Sequence, residues 1–522
     1  MAPLFALPIL SHSVEHFDLT SGNTGQRDFA VCINPDLILK DPDMLNLLSD
    51  AGISAIWIAT YFYGYWPYDV EKIARARKLV MKKGMKAFAI TIPFGHPGDS
   101  LNAGDEQFPL ISPSHWPRST SIDGKLYAGT SVNELVNTEN AKALKQVSTL
   151  GFGQCMMDDD FRIARLPGVI GGSFDNTTRN QFLKEGGYSE NSWNTLLENI
   201  RERKLTPMVR NWIEGYCDQL THSYQVQQKA FDGDLGFMVM YLGAEKAGIR
   251  LADFKNVSMR VGEAHFSDKS FATPRGWTNE LFSVLFHRRF IKPEKAWSET
   301  TAFPANELSA AHMAAKLIIS TIADVRHTLF MSGLEPIPET HWSTLSAAVK
   351  MQRSYHKRIA GHQPRGPFKH YWGEASRYIG RDNPFSLWLA LGVPFEVIGN
   401  IGKNPDGWIF LTDEDYDHLS NNQDKQNWIV RAGVKHPNDN VVAVKEDLAE
   451  LWKWRRAVIP ALEGKQIPYI IDELPAVCAW YPDASCVLVW SLSTEPVSLR
   501  IQYGNQIISQ HFQPLEAKLV MG

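Results

Sequence analysis

From about residue 28 to 333, short apolar runs rich in β-branched and aromatic residues alternate with longer stretches of helical periodicity, the pattern of a parallel α/β fold. Eight runs read as strands: Asp28 to Pro35, Ile53 to Tyr61, Lys86 to Pro93, Phe152 to Asp159, Leu235 to Leu242, Ser258 to Ala264, Lys295 to Thr301 and Val325 to Met331. Between them, Asp69 to Lys83 carries Lys and Arg along one polar face, and Ser309 to Ile322 is almost wholly apolar, as a buried helix would be. Eight repeats over roughly 300 residues suit one (β/α)8 TIM barrel with insertions better than a doubly wound sheet. Two connections are long. Gly95 to Asn133 contains a hairpin signal at Asp123-Gly124, and Arg162 to Asp234 contains a helical insertion; such loops shape the active-site face of a barrel.

After a helix over Trp342 to Ile359, the Pro/Gly stretch His362 to Pro367 reads as a linker. Ser386 to Val397, Trp408 to Ser420 and Trp452 to Pro460 then suggest a small α/β layer, and from about Ile467 the period becomes two, as in a β-sandwich. The expected organisation is a barrel over 1–362, a small α/β domain over 363–464 and a β-sandwich over 465–522.

Composition narrows the function classes. The chain is 44% hydrophobic, 21% charged and 11% aromatic, with a net charge of -4 and no basic stripe, so nucleic acid is not expected as a partner. No run of about 18 apolar residues occurs, so no membrane span is expected. Met1 to Leu10 is apolar but lacks the basic start of a signal peptide, which leaves the compartment open between the cytoplasm and, for a chain already freed of a leader, the periplasm or outside. The five cysteines fall at no metal-ligand spacing, and only Cys478 and Cys486 lie close enough in sequence to suggest pairing. No metal or cofactor is implied.

Chemistry in a barrel sits at the C-terminal ends of the strands. The fourth run ends in Asp158-Asp159-Asp160 followed by Arg162; a helix cap needs only one of these acids. The seventh ends in Trp297-Ser298-Glu299, where Glu is poor on strand propensity, so either chemistry or a partner such as Arg326 must favour it. The sixth ends in Glu263 with His265 and Asp268 close behind, as substrate contacts or a supporting network. Six rings in the eight residues Tyr61 to Tyr68, among them Tyr61, Tyr63 and Trp66, form either a stacking wall for a sugar or a plug over the barrel mouth. His96, in a Pro/Gly turn after the third run, is a candidate polar contact, and Trp297 is a further candidate substrate contact.

A barrel with acids on strands four and seven, followed by a Rossmann-like layer domain and a terminal β-sandwich, resembles the clan A retaining glycosidases, in particular family 42 β-galactosidases, whose second domain mediates trimer formation. Asp158-Asp159-Asp160 stands where that family has an Asp-Asn-Glu run, and Glu299 stands where its strand-seven nucleophile lies. The resemblance implies an exo-acting, retaining glycoside hydrolase cleaving a terminal β-linked, galactoside-like sugar from an oligosaccharide or glycoconjugate, with Asp160 as acid/base, Glu299 as nucleophile and a dimer or trimer as the assembly. Asp in place of Glu shortens the acid by one methylene, which leaves inversion open, since a retaining pair needs about 5 to 5.5 Å between carboxyls. Two rival readings remain. One is a metal-dependent isomerase or lyase with Asp158 or Asp160, Glu263 and Glu299 as oxygen ligands; the other is a catalytically lapsed sugar-binding protein.

Overall fold

The computed structural model describes residues 27–94, 112–158, 161–163, 166–402, 407–419, 427–433 and 441–522, with the side chains of 127–129 and 263 outside that description. His96, Asp159 and Asp160 therefore lie outside the described residues.

Eight parallel strands close into a barrel: β1 (Phe29–Ile33), β2 (Ala55–Phe62), β3 (Lys86–Ile92), β4 (Gln154–Met157), β5 (Asp234–Met240), β6 (Met259–Glu263), β7 (Ala296–Thr301) and β8 (His327–Met331). β1 pairs in parallel with β2 on one side and β8 on the other, so no edge is left. Most of the runs are largely apolar because both faces are covered; β6 and β7 depart from this with Arg260 and Glu299. Ala30, Cys32, Trp57, Ile90, Met156, Trp297 and Leu329 pack together inside the barrel, while alternate residues such as Phe29, Val31, Ile56 and Phe330 meet the outer helices.

The outer helices carry the signals their sequences predict. Asp69 caps Val70–Lys82, whose Ile73, Ala76 and Val80 form its buried stripe. Ser309 caps Ala310–Ile322. The insertion after β3 forms the hairpin Arg118–Thr120 with Leu126–Thr130, turned at Gly124. That after β4 forms the helices Asn176–Gly186, Ser192–Glu202 and Pro207–Ala230, which enclose their own core around Trp193 and Trp212 and reach Ala375 and Tyr378 of the C-terminal region.

The C-terminal region is rich in sheet. Strands β9 (Phe368–Tyr371), β10 (Leu391–Ile398), β11 (Trp408–Leu411), β12 (Trp428–Arg431) and β13 (Val441–Val444) run parallel in the order β13-β12-β11-β9-β10. A short strand, β14 (Tyr469–Ile470), follows. The large sheet continues from β10 through β15 (Ala476–Tyr481), β16 (Cys486–Ser491) and β19 (Ala517–Met521). β14, β17 (Val497–Tyr503) and β18 (Gln506–Phe512) form a second sheet packed on it through Ile470, Val487, Leu499, Ile501 and Phe512.

All five cysteines are free and buried, which corrects the suggested Cys478–Cys486 pairing. In the β15–β16 ladder Cys478 stands opposite Val489, and Cys486 stands opposite Tyr481. Among the described residues no helix is long and apolar enough to cross a membrane.

Candidate active site

Period-two alternation turns Trp297, Glu299 and Thr301 of β7 toward the barrel axis, one above another. Trp297, the lowest, meets Trp57 edge-on at 5.2 Å and stacks on His327 at 4.8 Å, so its ring belongs to the interior packing beneath the site. Glu299 is the next layer up, and its side chain has 0% exposure. The Thr301 hydroxyl above it donates to Oε1. Oε2 faces Nε of Arg260, an inward residue of β6, and the same guanidinium donates through Nη2 to Asp158 at the end of β4. One arginine thus bridges carboxylates from two strands, with the Met238 sulfur 3.0 Å from its Nη2.

This arrangement corrects the pairing of Glu299 with Arg326. Glu299 stands level with Leu329 of β8, whereas Arg326 precedes that strand's first residue and binds Asp324 at 3.2 Å.

Burying two carboxylates against one guanidinium leaves an excess negative charge in a medium that disfavours charge. Burial accordingly raises the Glu299 carboxyl to about 7; Arg260 opposes the rise and Asp158 adds to it. A second buried pair stands behind the strand wall, where Lys316 of the helix after β7 meets Glu280 of the helix after β6 at 2.8 Å. Burial raises Glu280 to about 7 as well, against the pull of Lys316. The Lys316 charge also favours the ionised form of Glu299. His265 is held down to about 4, first by burial and then by Lys316, so its ring is neutral at pH 7. Among the described residues its buried Nε2 has no hydrogen-bond partner.

The remaining candidates are placed as follows. Glu263 ends β6, its side chain outside the description. Arg162, buried beyond β4, turns its guanidinium to the Met240 sulfur. Asp268 accepts from the Ser309 amide and His312, which ties the β6 exit to the start of the helix after β7. Tyr61 and Tyr63 are buried and Trp66 is half-buried against Tyr61 at 5.5 Å, so the aromatic run mostly fills its own loop.

Of the proposed site residues, the structure brings Asp158 and Glu299 together and leaves Trp297 a layer below. The sequence reading missed Arg260, Thr301 and Lys316. Arg260 carried a signal: a charged residue at an inward position of an apolar strand requires a buried counter-charge. Lys316 carried another, as the one charge in the helix Ala310–Ile322.

No protein-family model and no curated protein sequence matches this chain. Solved structures match it over most of its length. A catalytic mutant of a GH42 β-galactosidase from G. stearothermophilus is similar with a TM-score of 0.57 and 8% identity, over 97% of this chain and 99% of that one. A second structure of that β-galactosidase matches at 0.53 and 7%, over 94% and 97% of the two chains. α-L-Fucosidase isoenzyme 2 from Paenibacillus thiaminolyticus matches at 0.52 and 8%, over 92% and 93%. The chain has the fold of these glycoside hydrolases.

Proposed function

We propose that the protein is a glycoside hydrolase that removes a terminal β-linked, galactoside-like sugar with retention, using Glu299 as nucleophile and Asp160 as acid/base. The observation that carries the reading is Glu299 on the seventh barrel strand, with one oxygen on Arg260, the other on Thr301 and its ionisation moved close to neutral pH.

Oε1 lies on the Thr301 side, toward the C-terminal end of β7, and is the oxygen that attacks the anomeric carbon. The bond from that carbon to the leaving oxygen breaks as Asp160 donates its proton to it, giving a glycosyl ester on Glu299 and a free alcohol. Asp160, now ionised, takes a proton from water. The water oxygen displaces Glu299 from the same carbon, and the second inversion restores the starting anomer. Arg260 keeps Oε2 fixed and favours the carboxylate, while Asp158 holds the far end of the guanidinium. A guanidinium between Asp158 and Glu299 occupies the place where a shared divalent cation would sit, so the geometry favours glycoside hydrolysis over the metal-dependent reading.

The five parallel strands β9 to β13 support a Rossmann-like layer, and we propose that the chain self-associates; its mass in solution tests this.

The function is tested with a panel of nitrophenyl glycosides and NMR of the first anomer released. E299A is expected to lose several orders of magnitude in rate and to recover with azide, yielding a glycosyl azide of inverted configuration. Near wild-type turnover by E299A would overturn the assignment.

A further inference from the structure

Two aromatic rings among the described residues are exposed, Tyr65 at 38% and Phe303 at 64%. Both stand on loops leaving the C-terminal ends of barrel strands, β2 and β7. Leaving a ring in water forgoes the stabilisation its burial brings, and neither ring is on a loose tip. The Phe303 amide donates to the Phe266 carbonyl at 3.1 Å, and the Ala302 amide donates to Met331 at 2.9 Å. Tyr65 and Phe62 exchange amide–carbonyl bonds of 2.8 and 2.9 Å around Gly64. That glycine has φ +88° and backs onto Pro113, whose ring a Cβ would meet at 2.5 Å.

The barrel order β2-β1-β8-β7 places the two loops three strands apart around a ring of eight. Strands about 4.8 Å apart and tilted about 36° give a barrel roughly 15 Å across, so the two strand ends are separated by roughly 14 Å. That span exceeds one pyranose ring.

We propose that Tyr65 and Phe303 are sugar platforms flanking the mouth, and that the substrate is an oligosaccharide of at least two linked sugars resting on both rings. A pyranose presents C–H bonds on its faces, which suit an aromatic surface, and hydroxyls around its edge; the exposed Asn306 and Glu307 beside Phe303 suit those hydroxyls. The inference rests on the hydrolase reading above and adds two sugar platforms to it, which narrow its substrate to an oligosaccharide.

The test compares kcat/KM on an oligosaccharide of three or more sugars with kcat/KM on the glycosyl fluoride of its terminal sugar, which has nothing beyond the scissile bond. In F303A the ratio of the two is expected to fall about tenfold, mainly through KM for the oligosaccharide, with Y65A shifting it in the same direction and F303W restoring it. An unchanged ratio in F303A, with wild type cleaving both substrates, overturns the inference alone. A wild type that cleaves neither overturns the hydrolase reading and this inference with it. A fall in oligomer mass on F303A would make the ring a contact between copies of the chain, which also overturns it.

Discussion

Replacing Arg260 with Met keeps much of the side chain's bulk and deletes its charge, leaving Asp158 and Glu299 facing each other inside the barrel. Breaking a buried pair by removing one partner destabilises by about 3–5 kcal/mol, because the remaining charge stays out of water. The loss has a definite pH dependence. In the native chain Glu299 already binds its proton more tightly folded than unfolded, about 7 against 4.5. A carboxyl raised in this way contributes stability that is fully present below the unfolded value and is lost as pH rises through the folded one, on the order of 3 kcal/mol for a rise of this size. Without Arg260, the opposing pull disappears and Glu299 titrates higher, so the window of loss extends upward. Calorimetric unfolding midpoints of wild type and R260M from pH 4.5 to 9 test this. R260M is expected to lie close to wild type at pH 4.5 and to fall progressively further below it toward pH 8, and E299Q added to R260M is expected to restore part of the loss at pH 8. A deficit in R260M independent of pH, or a variant more stable than wild type at pH 8, refutes the reasoning.

Three further outcomes are expected. If the ionised Glu299 is the nucleophile, the acidic limb of kcat/KM against pH lies near 7, where burial places that carboxyl; a limb near 4.5 would refute it. T301V removes the hydroxyl that positions Oε1 and, at about 1.5–3 kcal/mol for a hydrogen bond to a charged group, is expected to lower kcat roughly 10- to 100-fold with folding intact by circular dichroism. K316M strands Glu280 and is expected to destabilise by about 3–5 kcal/mol in denaturant titration, with E280L in the same chain recovering most of it.

Much of the fold was legible because the barrel strands are covered on both faces: Ala296–Thr301 and Met259–Glu263 fall within the expected runs, trimmed by a residue or two. Helix limits were legible where caps declare them, as at Asp69 and Ser309. Glu299 was singled out by its strand position, but its partner was not, since Arg326 is near in sequence whereas Arg260 reaches it across the barrel interior, a proximity that only closure creates. Nor did the run Tyr61 to Tyr68 declare which ring faces out. Tyr63 and Gly64 take positive φ values of 53° and 88°, which breaks the alternation and turns Tyr65 to solvent. The change to period two near Ile467 was visible, but the pairing of Pro394 with Cys478 was not, because ladder partners that far apart share no local signature.

That pairing makes the C-terminal region inseparable in a practical sense. A chain ended at residue 464 would lack β15, and β10, with the buried Leu391, Val393 and Phe395, would become the bare margin of a sheet. Unpaired amides and carbonyls along an apolar strand recruit other chains. Shortening the protein at the boundary expected between its second and third domains would therefore convert an internal joint into a site of aggregation.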